Sequence, residues 1–154
     1  MYLNRSKIIV IKIGSSLLFD KKKKIRNKWL FEFSKDIKNL LKKNIKIIIV
    51  SSGAIAMGCK KLNLIKKNLK LEKSQAIASI GQIELMNLFN KNFLRNKINI
   101  SQILLTLDDT EQRRRALNAK RTFENLFKLE FVPIVNENDS TATTEIKYGD
   151  NDRL

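Results

Sequence analysis

Three short stretches hold residue types that bind charged groups. "IKIGSS" carries Lys12, Gly14, Ser15 and Ser16, and "VSSGA" carries Ser52 and Gly53. "NENDSTATTEIKYGDND", residues 136–152, carries Glu137, Asp139, Glu145, Asp150 and Asp152 against a single base, Lys147. A lysine supplies a point charge, and glycine lets backbone approach a ligand because no Cβ stands in the way. A Ser-Gly pair opening a helix offers N–H groups and the positive end of the helix dipole, both suited to phosphate or carboxylate. The first two stretches therefore suit an anion, and the third suits an ammonium group or a metal. None is a P-loop, because the G-x-x-x-x-G-K-[ST] spacing is absent. Each also has a plain alternative: a solvated lysine, an ordinary helix cap, and a polar hairpin built on Asn and Asp turn formers.

The elements that must carry these stretches read as strand, helix, strand, helix, helix, strand, helix, strand. "KIIVIKI" (7–13) and "IKIIIVSS" (45–52) are near-continuous β-branched runs, as expected of strands covered on both faces. "INISQILLT" is a third strand, and "FVPIVN" a fourth, with Pro133 marking its beginning. One helix places Leu30, Phe33, Ile37, Leu40 and Leu41 on one face. "SQAIASIGQIELMNLFNKNF" has a wide apolar face and reads as a central helix. Asp108 or Asp109 can cap the next one, which should bury Ala116, Ala119, Phe123, Leu126 and Phe127. Residues 63–73 read as a Lys-rich connection, and "STATTEI" reads as extended structure. Alternating strands and helices predict an α/β sandwich around a mainly parallel sheet. In such sheets ligands bind beyond the carboxyl ends of the strands, where all three stretches lie.

Composition narrows the chemistry. The 154 residues contain no histidine and one cysteine, Cys59. His-based zinc sites, Ser/His/Asp triads and internal disulfides are thereby excluded, and a reducing cytoplasm is the expected setting. No apolar run approaches the ~18 residues of a membrane span. Lys12 interrupts the first apolar run, so it reads as a strand rather than a signal peptide. The formal charge is +16, with 31 Lys+Arg against 15 Asp+Glu. Most of that base is lysine spread with Ile and Asn through every segment, including "KKKK" at 21–24 in a loop. No aromatic residues interleave it as a nucleic-acid stacking platform would need, which favours a solvated surface.

The blocks "VIKIGSSLL", "IIIVSSGAIAMG", "QAIASIGQIELM", "SQILLTLDD", "RRRALNAKRT" and "FVPIVNENDSTATTEIKYGDNDRL" together resemble the glutamate 5-kinases of the amino-acid kinase family. The resemblance covers nearly all 154 residues, and "NEND" followed by "EIKYGDND" is its most specific part. It implies the three-layer α/β/α amino-acid kinase fold and ATP-dependent phosphorylation of the glutamate γ-carboxylate. It further implies that Lys12 contacts the transferring phosphate, with Gly14 and Ser15 on the phosphate side. Ser52, Gly53, Asn136, Asp139, Asp150 and Asn151 would hold L-glutamate, Asp139 meeting its α-ammonium. Asp152 would orient the catalytic lysines. Mg²⁺ would travel with ATP, and no protein metal site is implied.

The family's kinase domain is longer than this chain. The resemblance therefore implies that residues 1–154 form the N-terminal, glutamate-binding lobe. The nucleotide-binding lobe, its second catalytic lysine and the RNA-binding-like C-terminal domain would lie outside them, leaving the fold incomplete at its C-terminus. A homo-oligomer is expected for the whole domain, and a complementing C-terminal chain is a partner to look for. Three readings stay open: the N-terminal part of an active glutamate 5-kinase, a non-catalytic remnant that binds glutamate or a partner, and a basic nucleic-acid-binding module. The acid-rich strand end opposes the third, since it would repel a phosphate backbone.

Overall fold

The computed structural model describes residues 7–20, 22, 24–64 and 69–141. Four strands, β1 (Ile8–Ile13), β2 (Lys46–Ser51), β3 (Asn99–Leu105) and β4 (Phe131–Glu137), form one sheet in the order β1-β2-β4-β3. Every pairing is parallel. The helices are α1 (Ser15–Leu18), α2 (Asn27–Leu41), α3 (Ala54–Lys61), α4 (Leu71–Leu94), α5 (Leu107–Glu111) and α6 (Arg113–Lys128). The predicted order of long elements is observed, with short α1 and α5 added.

The core lies on one face of the sheet. Ile13, Ile47, Ile49, Val132 and Ile134 point from alternate strand positions into Leu30 and Ile37 of α2, Met57 of α3, and Leu85, Phe89 and Phe93 of α4. On α2 the predicted face is the packed one, with Phe33, Leu40 and Leu41 flanking the buried pair. The wide apolar face of α4 makes it the central helix. It also buries three polar residues, Ser74, Gln82 and Asn92. Asn92 is satisfied locally, its Nδ2 donating to Leu88 O at 2.9 Å.

The opposite face is thinly covered, and the structure corrects four expectations. Among the described strands β1 lies at an edge, with Ile8 50% and Val10 61% exposed, so it is covered on one face only. Its β-branched run is as apolar on both sides as a central strand, and periodicity cannot tell the two apart. α6 lies across this face but buries none of its residues fully. A cavity of about 360 Å³ separates it from the strands, lined by Ile8, Val10, Val50, Phe123, Phe127 and Val135. The third correction is the cap before α6. Thr106, not Asp108 or Asp109, caps α5, and Asp109 is the third residue of that short helix. The chain then turns at Gln112 before α6 begins. Pro133 also sits further into its strand than predicted. It pairs with Ser101 on the β3 side, while the β2–β4 ladder contains only Ile49–Ile134 and Val50–Val135, beyond the proline. Proline has no N–H to give a ladder, so pairing on that side opens after it.

Thr106 and Asp109 form a reciprocal cap. Asp109 Oδ2 accepts from Thr106 N and from Thr106 Oγ1, both at 2.8 Å, and Arg115 Nη1 stands 3.4 Å from Oδ1. The Thr106 backbone N–H and then its hydroxyl hold the Asp109 carboxyl below its ordinary value of 3.8; burial opposes them, and Arg115 adds a smaller lowering effect. A carboxyl lowered on folding stabilises the fold above its unfolded value, and that contribution fades as pH falls through the folded one. Asp109→Ala is expected to cost about 1 kcal/mol near neutral pH. The deficit against wild type should shrink below about pH 4 as Asp109 protonates. Urea midpoints of both proteins across that range check it; a deficit constant with pH would refute the assignment.

Candidate functional site

The carboxyl ends of β1, β2 and β4 meet at one edge of the sheet. β1 runs into Gly14, which precedes α1, and β2 runs through Ser52 into Gly53, which precedes α3. Two hydrogen bonds lock these tips together. Ser52 N donates to Ile13 O at 3.1 Å, and Ser15 N donates to Ser52 Oγ at 3.1 Å. Gly53 has φ 118°, a conformation that strains any other residue. A Cβ there would meet only ordinary contacts, 3.4 Å from Ser15 Cβ and 3.5 Å from Leu18 Cδ1, so the backbone conformation alone calls for glycine. Thus Gly14, Ser15, Ser52 and Gly53, four residues singled out from two separate stretches, form one structural unit. The Ser15 amide is committed within it, to the Ser52 hydroxyl.

α3 is held in place by close backbone packing against α4. An added Cβ at Gly81 would collide with the Ala54 carbonyl oxygen and the Gly58 amide nitrogen, and one at Gly58 with the Ile77 carbonyl. The position of Gly53, one residue before Ala54, therefore depends on a glycine-lined helix crossing remote in sequence.

The sheet register divides the remaining candidates between its faces. Lys12 pairs with Val50, and Val50 with Val135, so these three side chains share the face under α6. One row further, Ile13 pairs with Ser51, and Leu104 with Asn136, which places Asn136 on the α4 face. Lys12 is exposed, whereas Asn136 is 1% exposed. Asn136 Nδ2 donates to Gln82 Oε1 at 2.7 Å. Beyond the strand, Asn138 N donates to Leu105 O at 2.8 Å and Thr141 N donates to Asn138 O at 3.0 Å. Asp139 sits half-buried in the turn so formed. Asp150, Asn151 and Asp152 lie outside the described residues, as does most of "STATTEI".

Two residues belong to this edge to which the sequence assigned no role, Glu137 having been counted only among the carboxylates of its stretch. Glu137, the last residue of β4, is 4% exposed, a buried carboxylate beside the strand tips. Gln82 is 9% exposed and reaches the edge from the middle of α4. Its signal was present as one amide on an otherwise apolar helical face in "ASIGQIEL". Among the described residues no group of three or more His, Cys, Asp or Glu is placed to hold a metal ion. No described helix is long and apolar enough to cross a membrane.

The family model for the amino acid kinase family matches residues 7–154. The chain belongs to the amino acid kinase family. It is 80% identical over 154 residues to a glutamate 5-kinase of Pelagibacter ubique (strain HTCC1062), covering all of this chain and 42% of that protein. A glutamate 5-kinase of Rhizobium leguminosarum bv. trifolii (strain WSM2304) is 54% identical over 152 residues, again over 39% of its own length. The chain thus spans about two fifths of these relatives. Among solved structures, the UMP kinase of Ureaplasma parvum superposes with a TM-score of 0.55 at 18% identity, over 85% of this chain and 56% of that one. A carbamate kinase of Giardia gives 0.55 at 12% identity, over 85% and 58%. These two show the fold: a parallel sheet with helices on both sides, as the sequence predicted.

Proposed function

We propose that these residues form the glutamate-binding lobe of a glutamate 5-kinase, which phosphorylates the γ-carboxylate of L-glutamate with ATP to give L-glutamyl 5-phosphate, the first step of proline biosynthesis. The observation that carries this reading is the chain's 80% identity to a glutamate 5-kinase over its whole length. The geometry of the strand tips is compatible with it. Gly14, Ser15, Ser52 and Gly53 make a compact, backbone-rich edge, and Asn136 and Asp139 follow β4 directly.

The chemistry asks little of acid–base catalysis. A glutamate side chain, with a pKa near ~4.3, is already ionised at neutral pH, so the nucleophile needs no base and the lack of histidine removes nothing. The γ-carboxylate oxygen attacks the terminal phosphorus of ATP, the bond to the bridging oxygen breaks, and ADP leaves. Catalysis then rests on alignment and on positive charge around the transferring group. Lys12 is assigned that charge, with Gly14 and Ser15 on the phosphate side, the Ser15 N–H itself being held by Ser52 Oγ. Ser52, Gly53, Asn136, Asp139, Asp150 and Asn151 are assigned to glutamate, Asp139 pairing with its α-ammonium, and Asp152 to orienting the lysine. Mg²⁺ enters with the phosphates of ATP. We place the protein in the cytoplasm, where both substrates are available. The complete domain is proposed to be a homo-oligomer, and Ile80 and Ile83, 38% and 65% exposed on α4, offer an apolar surface for a second copy.

A polypeptide of these 154 residues is expected to bind L-glutamate yet show little or no turnover with ATP, because we assign the nucleotide-binding lobe to the part of the relatives that the chain does not span. Adding the C-terminal remainder of the Pelagibacter relative as a separate chain should restore ADP release dependent on glutamate. Full turnover by the 154 residues alone, or no glutamate binding by them, would each contradict this assignment.

A further inference from the structure

Four lysines line a groove at the amino ends of the strands, the end of the sheet opposite the candidate site. Three loops form it: those that carry α2 into β2, α4 into β3 and α6 into β4. Lys38, Lys42, Lys46 and Lys97 stand around about 470 Å³ of space, and a single carboxylate, Glu130, joins them. The cavity under α6 has no such bias, because Lys120 there is matched by Asp109 and Glu124. Elsewhere on the described surface Lys35 pairs with Glu32, and Lys61 with Glu84. Lys42, Lys46 and Lys97 make no ion pair among the described residues.

Helix dipoles account for part of this gathering of charge. Lys38 lies in the last turn of α2 and Lys42 caps it, where the negative end of the dipole favours a cation. Lys38 Nζ also donates to Lys97 O at 3.2 Å. That reason does not reach Lys46, which opens β2 with its ammonium 5.4 Å from the centre of the Phe127 ring. Nor does it call for lysine at position 97, where φ is 54°, a left-handed conformation that Gly or Asn adopts with less strain. Between the lysines the lining is apolar: Ile45 and Ile98 are buried, and Phe127 and Phe131 are half-buried. A concavity lined by one sign of charge focuses potential and draws the opposite charge into it.

We propose that this groove binds a small organic phosphate, its phosphate dianion held by Lys42, Lys46 and Lys97 and a flat apolar part resting against Phe127 and Phe131. The dianion matches the excess charge, and the volume falls in the range of small-molecule pockets, about 300–1,000 Å³. The apolar lining has no counterpart in a bare inorganic anion. Strands of six or seven residues put about 20 Å between this groove and the strand tips that carry Gly14 and Gly53. The site is therefore separate from the proposed glutamate edge and does not depend on it.

Amide NMR titrations of the 154-residue chain with AMP, adenosine and inorganic phosphate test this. AMP should shift Asn44, Ile98 and Phe131 saturably and leave Gly14 and Gly53 in place. Adenosine and inorganic phosphate, each keeping part of the contacts, should bind about tenfold more weakly. Lys42→Gln combined with Lys97→Asn, since asparagine tolerates the left-handed turn, should weaken AMP by about tenfold. Lys28→Gln combined with Lys73→Gln removes the same charge away from the groove and should leave AMP binding unchanged. Lys46→Gln carries the comparison if the first double variant does not fold. An equal loss in the two double variants overturns the proposal, as do shifts confined to Gly14 and Gly53. Inorganic phosphate binding as tightly as AMP also overturns it. So does an RNA oligonucleotide that binds more tightly than AMP and shifts amides along α2 and α6, the mark of a general polyanion surface.

Discussion

Gly81→Ala is expected to be the most destabilising single-methyl change in the described part of this protein. The new Cβ would collide with the Ala54 carbonyl oxygen and the Gly58 amide nitrogen, which are backbone atoms of α3 and not ends of flexible side chains. Relief requires α3 and α4 to separate along a crossing where Met57 is buried on one side and Ile77 and Ala78 on the other. Overpacking a side chain against a side chain costs about 1–3 kcal/mol, and an unyielding backbone places this case at or above the upper limit. Against a total stability of about 5–15 kcal/mol, that is a large share. The effect should reach the site as well, because Gly53 immediately precedes α3 and the Ser15–Ser52 contact depends on its place. Urea unfolding would show a lower midpoint for Gly81→Ala, and the amide signals of Ser15 and Gly53 would shift. A midpoint within experimental error of wild type would show that the helices separate easily.

The second large effect is on catalysis. In a chimaera in which these 154 residues replace the matching segment of the Pelagibacter relative, Lys12→Met should lower kcat by about 10²–10³. Lys12 ends the exposed face of β1, on the side of the sheet opposite Asn136. Under the proposed assignment it meets charge that develops on the transferring phosphoryl group. An interaction gained mainly in the transition state lowers kcat and kcat/KM together when removed, and leaves the KM for glutamate nearly unchanged. Lys12→Arg should recover only part of the rate, since a planar fork replaces a compact point charge. Steady-state kinetics with both substrates decides it. A variant within threefold of wild type in kcat would remove Lys12 from the catalytic group.

Strand and helix order was legible because local periodicity carries it. β2 and β4 alternate into a continuous core, and α2 packs on the face that Leu30 and Ile37 define. Gly53 was readable too, since a glycine just past a strand implies a turn or a close approach, whereas Gly14 has an ordinary φ of −70° and room where a Cβ would stand. The cap at Thr106 was missed for a local reason. Three capable residues, Thr106, Asp108 and Asp109, lie within one turn, and only the backbone decides which of them begins the helix. α6 was read as a burying helix because its apolar stripe is regular, but a stripe reports which side faces the sheet and not how closely it sits.

The sequence by itself determined the kinds of groups available at the strand ends, the parallel α/β order that brings such ends to one edge, and the lack of any histidine among these 154 residues. Those follow from residue type and short-range spacing. Only the tertiary structure decided that β1 is an edge, that Lys12 and Asn136 leave the sheet on opposite faces, and that Gln82 holds Asn136 from 54 residues away. It also revealed that two glycines let α3 and α4 meet backbone to backbone. Each of these is set by strand order, register or helix contact between distant segments, and no local pattern of side chains encodes a pairing across that distance.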